Sequence, residues 1–120
     1  MSERGHITLV TGGARSGKSA LAERLAARHG GSRIYIATAE VGDDEMSHRI
    51  AEHQRRRGTG WITLEEPLDL TGALDRSDGQ GVRLVDCLTL WLANCRGSAD
   101  IGALCMTLRQ QTCPVVLVTN

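Results

Sequence analysis

Phenylalanine is absent from the 120-residue chain, and only one tyrosine and two tryptophans represent the other large aromatics. A core must therefore be assembled from Leu, Val, Ile and Ala, and the chain lacks the rings on which a single-stranded nucleic-acid platform stacks bases. Charge of one sign is missing too. Fourteen basic residues balance 14 acidic ones, which gives no electrostatic reason to expect nucleic acid or an anionic membrane as the main partner. No apolar run approaches the length that crosses a bilayer. The opening MSERGHITLVTGG is too poor in apolar residues for a signal peptide. The cysteines Cys87, Cys95, Cys105 and Cys113 include no C-x-x-C pair, so zinc-ribbon and thioredoxin-like readings fail. The expectation is a reduced, cytoplasmic protein whose thiols pack as small hydrophobes. With 41% hydrophobic and 23% charged residues, the composition is that of an ordinary globular chain. Its length fits one domain over residues 1–120.

What is present alternates in period. Ile7–Thr11 is a short β-branched run ending in glycines and reads as a buried strand. Ser19–Arg28 reads as a helix, with Leu21 and Leu25 one turn apart and Gly30 and Gly31 as its stop. Arg33–Thr38 is a second strand. Asp43 and Asp44 can cap a helix over Glu45–Arg57, supported by the pairs Glu45–Arg49 and Glu52–Arg56. Trp61–Leu64 is a short extended piece, and Pro67 suits the first turn of a helix through Leu74. After the turn-rich stretch 75–81, Val82–Asp86 is a strand ending in an acid. Cys87–Cys95 and Ile101–Gln111 read as helices, and Pro114–Asn120 as a final buried strand. Alternating strands and helices predict an α/β fold with a mainly parallel central sheet flanked by helices. No helix follows the last strand, so one sheet face near it is expected to be uncovered.

Residues 12–19 carry the sharpest chemical signal. Gly12, Gly13, Ala14, Arg15, Ser16, Gly17, Lys18 and Ser19 match G-x-x-x-x-G-K-[ST], a cradle for the phosphates of ATP or GTP. Glycines let backbone N–H groups turn inward around phosphate oxygens. The helix that follows points its positive end at the anion. Lys18 reaches the outer phosphates, and the Ser19 hydroxyl is a ligand for Mg²⁺. Average residue usage produces such a match by chance in about 0.5% of chains this long. Here the motif also follows a strand and opens a helix, as the mechanism requires. Asp86 closes an apolar strand, where an acid can hold Mg²⁺; alone, it could equally be a helix cap or a solvated strand end.

A second constellation surrounds His53. It shares a helix face with Met46 and Ile50, so packing against a partly apolar surface is one reading. Arg55, Arg56 and Arg57 follow at once, a cationic cluster suited to polyphosphate or, equally, a solvated helix end. Beside such charge a neutral imidazole facing an α-phosphate could become a covalent nucleotidyl carrier. His6, His29 and His48 have no such company and read as surface residues.

The ordered segments LVTGGARSGKS, YIATAE, DDEMSHRIAEHQRRRGTGW, LVDCLTLWLAN and VVLVTN resemble the adenosylcobinamide kinase / adenosylcobinamide-phosphate guanylyltransferase family over essentially the whole chain. The resemblance implies a RecA-like P-loop NTPase fold and a bifunctional enzyme of cobalamin biosynthesis. Such an enzyme phosphorylates adenosylcobinamide with ATP or GTP. It then moves GMP from GTP onto adenosylcobinamide phosphate through a GMP–histidine intermediate. By position in the motif that histidine is His53. The resemblance also implies nucleotide contacts at Gly12–Ser19, Ala37, Thr38, Ala39, Arg56, Arg57, Gly58, Thr59, Glu65 and Asp86, with Mg²⁺ at Ser19 and Asp86. It implies a homotrimer with sites near subunit interfaces. Family members continue beyond VVLVTN, so a chain lacking their C-terminal segment is the expectation. The alternatives are a simple small-molecule kinase, for which His53 is dispensable, and a nucleotide-binding module without catalysis.

Overall fold

A computed structural model describes residues 5–13, 16–39, 51, 55 and 60–120. Strands β1 (Ile7–Thr11), β2 (Arg33–Ala37), β3 (Trp61–Glu65), β4 (Val82–Asp86) and β5 (Val115–Thr119) alternate with helices α1 (Lys18–Ala27), α2 (Leu70–Ser77), α3 (Leu88–Cys95) and α4 (Ile101–Gln110). The strands form one five-stranded sheet in the order β1-β5-β4-β2-β3, and every pairing is parallel. The sequence therefore belongs to the α/β class its alternating pattern predicts.

Period 2 in the strands divides the core into two layers. On one face Val10, Tyr35, Ala37, Val82, Leu84, Val116 and Val118 meet Ala22 and Ala26 of α1. On the other, Ile34, Ile36, Val85, Val115 and Leu117 meet residues of α2, α3 and α4, among them Leu74, Trp91 and Leu104. Without phenylalanine, Trp91 is the one large ring in this second layer, and its indole N–H donates to Leu68 O at 2.8 Å, the partner a buried indole requires. The side of α1 that meets the sheet is built on alanines, with Leu25 packed beside them. Ala22 and Ala26 are fully buried while Leu21 is exposed. Two alanines let the helix axis come close to the sheet, where it packs chiefly over β5 and β4.

Helix α2 also departs from expectation, beginning at Leu70 and running to Ser77. Asp69, not Pro67, governs its start, because its carboxylate accepts from Gly72 N at 3.1 Å. Its end is held open into the turn-rich stretch by Ser77 Oγ, which donates to Ala73 O at 2.7 Å, and by Arg83. This arginine is completely buried. Its guanidinium donates to Leu74 O (2.7 Å), Ser77 Oγ (3.2 Å), Asp78 Oδ1 (3.2 Å) and Cys113 O (3.0 Å), so one side chain ties α2, β4 and the entry to β5 together.

The expected exposed face near the last strand is not found at β5. Val115–Val118 are all buried, because β5 lies inside the sheet between β1 and β4, where α1 covers one face and α3 and α4 the other. Exposure falls on β1 at the sheet edge, where Ile7 and Leu9 are 44% and 58% exposed. Of the predicted helix over Glu45–Arg57, only Ala51 and Arg55 are described, both helical and exposed. The surface assignment of His6 and His29 holds, both being exposed, and His48 lies outside the described residues. All four cysteines are free, Cys105 is exposed and the others are partly buried.

Candidate functional site

Because the sheet is all-parallel, Thr11, Ala37, Glu65, Asp86 and Thr119 end their strands along one edge. The helix after β1 packs on one face and the helix after β4 on the other. The loops leaving these strands therefore diverge, and in such sheets the crevice between them is where ligands bind.

The phosphate motif occupies the β1 side of that crevice. Gly17 is the N-cap of α1 in a left-handed conformation with φ 79°, and no side chain caps the helix. The first N–H groups of α1 are thus left to an outside acceptor, as anion binding at a helix start demands. A Cβ on Gly12 would lie 2.7 Å from Ser16 Oγ, so a larger residue there requires the serine hydroxyl to turn away. Lys18 folds back over the loop. Its ammonium donates to Gly12 O (3.0 Å), Gly13 O (3.1 Å) and Asn120 Oδ1 (2.5 Å). Three neutral oxygens stand where anionic ones satisfy a lysine of this kind.

Asn120 reaches Lys18 because β5 pairs with β1, 102 residues apart in sequence. Its own N–H donates to Thr89 Oγ1 at 3.0 Å, and Thr89 and Thr119 share a hydroxyl contact of 3.1 Å. Sequence reasoning assigned no role to Asn120 or Thr89. The available signal was a polar residue directly after an apolar strand, which gains meaning only once the strand order is known.

Asp86 lies two strands from β1, at the end of β4. The register pairs Ala37 with both Glu65 and Asp86, so three of the predicted site residues sit side by side. The end of β2 grips the acid at several points. Tyr35 Oη donates to Asp86 Oδ2, and Thr38 N donates to Asp86 O at 3.2 Å. The Thr38 hydroxyl donates to Cys87 O (2.8 Å) and accepts from Cys87 N (2.9 Å). Thr38 is fully buried, and its carbonyl accepts from Asn94 Nδ2 at 2.7 Å, which also donates to Pro67 O at 3.0 Å. Ala39 follows at this edge, partly buried, and Glu65 is exposed. Cys87 caps α3 through Sγ, accepting from Leu90 N at 3.4 Å. Burial pushes its thiol pKa up and the Asp86 charge adds to this, against the N–H groups of Leu90 and Thr89 and the Lys18 charge. The thiolate is disfavoured, so Cys87 is a structural group.

Ala14, Arg15, His53, Arg56, Arg57, Gly58 and Thr59 lie outside the described residues. Among the described residues no group of three or more His, Cys, Asp or Glu side chains could hold a metal ion. Mg²⁺ takes one or two protein oxygens beside nucleotide phosphates and water. The Ser19 hydroxyl and the Asp86 carboxylate are hard oxygen donors of this type, so the residues fit the ion.

The family of cobinamide kinase / cobinamide phosphate guanyltransferase matches residues 8–120. The chain belongs to this family. Among curated relatives it is 62% identical over 88 residues to the bifunctional adenosylcobalamin biosynthesis protein CobP of Pseudomonas aeruginosa, covering 72% of this chain and 50% of that protein. It is 42% and 41% identical over 90 residues to the bifunctional adenosylcobalamin biosynthesis proteins CobU of Escherichia coli and Salmonella typhimurium, covering 73% of this chain and 49% of each. The chain spans about half the length of these relatives. The family assignment and the strand–loop–helix around Lys18 both agree with a P-loop NTPase fold. Among the described residues no helix is long and apolar enough to cross a membrane.

Proposed function

We propose that this chain is the nucleotide-binding part of a bifunctional kinase and guanylyltransferase acting on adenosylcobinamide. The observation that carries the reading is the Lys18 ammonium, held by three neutral oxygens at an uncapped helix start, on the sheet edge that also carries Asp86. ATP or GTP offers Lys18 anionic oxygens in place of Gly12 O, Gly13 O and Asn120 Oδ1, and the first turn of α1 receives the phosphate chain. Ser19 and Asp86 hold Mg²⁺, which when bound screens the charge of the phosphates. Ala37, Thr38, Ala39, Glu65 and the segment Arg56–Thr59 complete the nucleotide pocket.

In the kinase step the primary target is the aminopropanol hydroxyl of adenosylcobinamide. Its oxygen bonds to the γ-phosphorus as the bond to the β,γ-bridging oxygen breaks, and its proton leaves to solvent. In the transfer step an imidazole nitrogen of His53 attacks the α-phosphorus of GTP. A P–N bond forms, the α,β-bridging P–O bond breaks, and pyrophosphate departs. A phosphate oxygen of adenosylcobinamide phosphate then attacks the same phosphorus, restoring free His53 and giving adenosylcobinamide-GDP. The cytoplasm as location and a homotrimer as assembly belong to the same proposal.

The test is incubation with Mg²⁺ and GTP labelled at the α-phosphate, followed by denaturation, in wild type and His53→Ala. Acid-labile, alkali-stable label on the wild-type chain, absent from the variant, is the expected result. GTP binding without label would overturn the transfer step and leave a simple kinase or a binding module.

A further inference from the structure

The mechanism gives Asp86 a role but leaves Tyr35, the chain's only tyrosine, without one. Tyr35 is the middle residue of β2, 6% exposed, in the layer beneath α1. The register sets it opposite Leu84 and sets Ala37 opposite Asp86. Tyr35 and Asp86 are therefore diagonal neighbours on adjacent strands, within reach of a long side chain. The ring is fixed from its other side by Trp61 on β3, at 6.2 Å between centroids and 81° between planes, an edge-to-face arrangement. Two strands thus aim one hydroxyl along the sheet, and it ends on Asp86 Oδ2.

We propose that Tyr35 is a positioning residue for the Asp86 carboxylate, holding one oxygen so that the other faces the nucleotide's divalent cation. A free aspartate at a strand end rotates about its side-chain torsions and can present either oxygen or neither. Here Thr38 fixes the main chain of Asp86 and Cys87, and Tyr35 fixes the side chain, so β2 determines both. Committing Oδ2 to a hydroxyl donor leaves Oδ1 as the oxygen that presents charge to the crevice. Partners of this kind, one bond removed from a metal ligand, tune metal affinity without touching the metal. The inference rests on the reading of Asp86 as a ligand for Mg²⁺.

The test uses the full chain with a fluorescent GTP analogue, titrated with Mg²⁺ and compared with binding in EDTA. Tyr35→Phe keeps the ring, its packing under α1 and its contact with Trp61, and removes only the hydroxyl. The half-saturating Mg²⁺ concentration should rise about 10-fold, with affinity in EDTA unchanged and the thermal midpoint lowered only by the loss of the hydroxyl's hydrogen bonding. In an Asp86→Asn background the same substitution should add nothing, since it acts through that carboxylate. An unchanged Mg²⁺ requirement in Tyr35→Phe, with Asp86→Asn still impaired, overturns the positioning role alone. Equal weakening with and without Mg²⁺ also overturns it, by making Tyr35 a packing residue. A wild type whose binding ignores Mg²⁺, or an Asp86→Asn variant whose Mg²⁺ requirement matches wild type, removes the metal role of Asp86 and the inference with it.

Discussion

Lys18 illustrates how a single side chain can be read twice. In sequence it is the lysine of a phosphate motif; in the fold it is a cation bonded to Gly12, Gly13 and Asn120. Both descriptions are of one group, because an ammonium that must meet phosphates has to be satisfied when they are absent. Lys18→Ala should weaken GTP binding by about 10- to 100-fold, the worth of a charged hydrogen bond. Equilibrium titration checks this, and an unchanged affinity would remove Lys18 from the site. Arg83 is the opposite case. Nothing in the strand pattern VRLVD distinguishes it from a solvated alternate position, yet it is wholly buried. Its pKa is lowered by burial, against the charges of Asp78, Cys113 and Asp75, and four acceptors hold it. Arg83→Met preserves volume but takes the guanidinium from Asp78, Leu74 O and Cys113 O, and should destabilise the chain by about 3 kcal/mol in urea unfolding. A loss below about 1 kcal/mol would mean that water replaces the guanidinium without penalty.

Among elements, the connection between α2 and β5 depends on Asp78. Its carboxylate accepts from Thr112 N, the Thr112 hydroxyl, Cys113 N and Arg83. Burial raises its pKa, but the N–H groups of Cys113 and Thr112, the Thr112 hydroxyl and the Arg83 charge together outweigh it, and the net shift is downward from 3.8. A depressed folded pKa means that the ionised form favours the folded state. The stability it contributes is fully present above the unfolded pKa of about 3.9 and is lost as pH falls through the lower folded value. Thermal midpoints should therefore drop more steeply in wild type than in Asp78→Asn as pH is lowered below about 4. Parallel curves for the two proteins would show that Asp78 does not link this junction to pH. The helix boundaries follow similar local rules. Asp69 and Asp100 were not singled out as caps, yet each accepts the N–H of the residue three positions on, and α2 starts accordingly at Leu70, three residues later than Pro67 alone indicates.

For the whole molecule, the sequence determined the class and the phosphate cradle. Both are written locally: period-2 apolar runs make strands, and glycines beside a lysine at a strand-to-helix turn make an anion site. It also ended a strand at Asp86, while Ala37 and Glu65 came from the family resemblance, and the parallel register then set the three side by side. Strand order was not legible, because nothing in VVLVT distinguishes an interior strand from an edge one. Only the tertiary structure put β5 between β1 and β4, which brought Asn120 to Lys18, covered the face expected to be open near the last strand, and left Ile7 and Leu9 at the edge. The same pairing of β2 with β4 turned the one tyrosine toward Asp86. The physical reason is the range of the interactions. Turns, caps and periodicity are decided within a few residues, whereas a hydroxyl meeting a carboxylate 51 positions away depends on which strands exchange hydrogen bonds across the sheet.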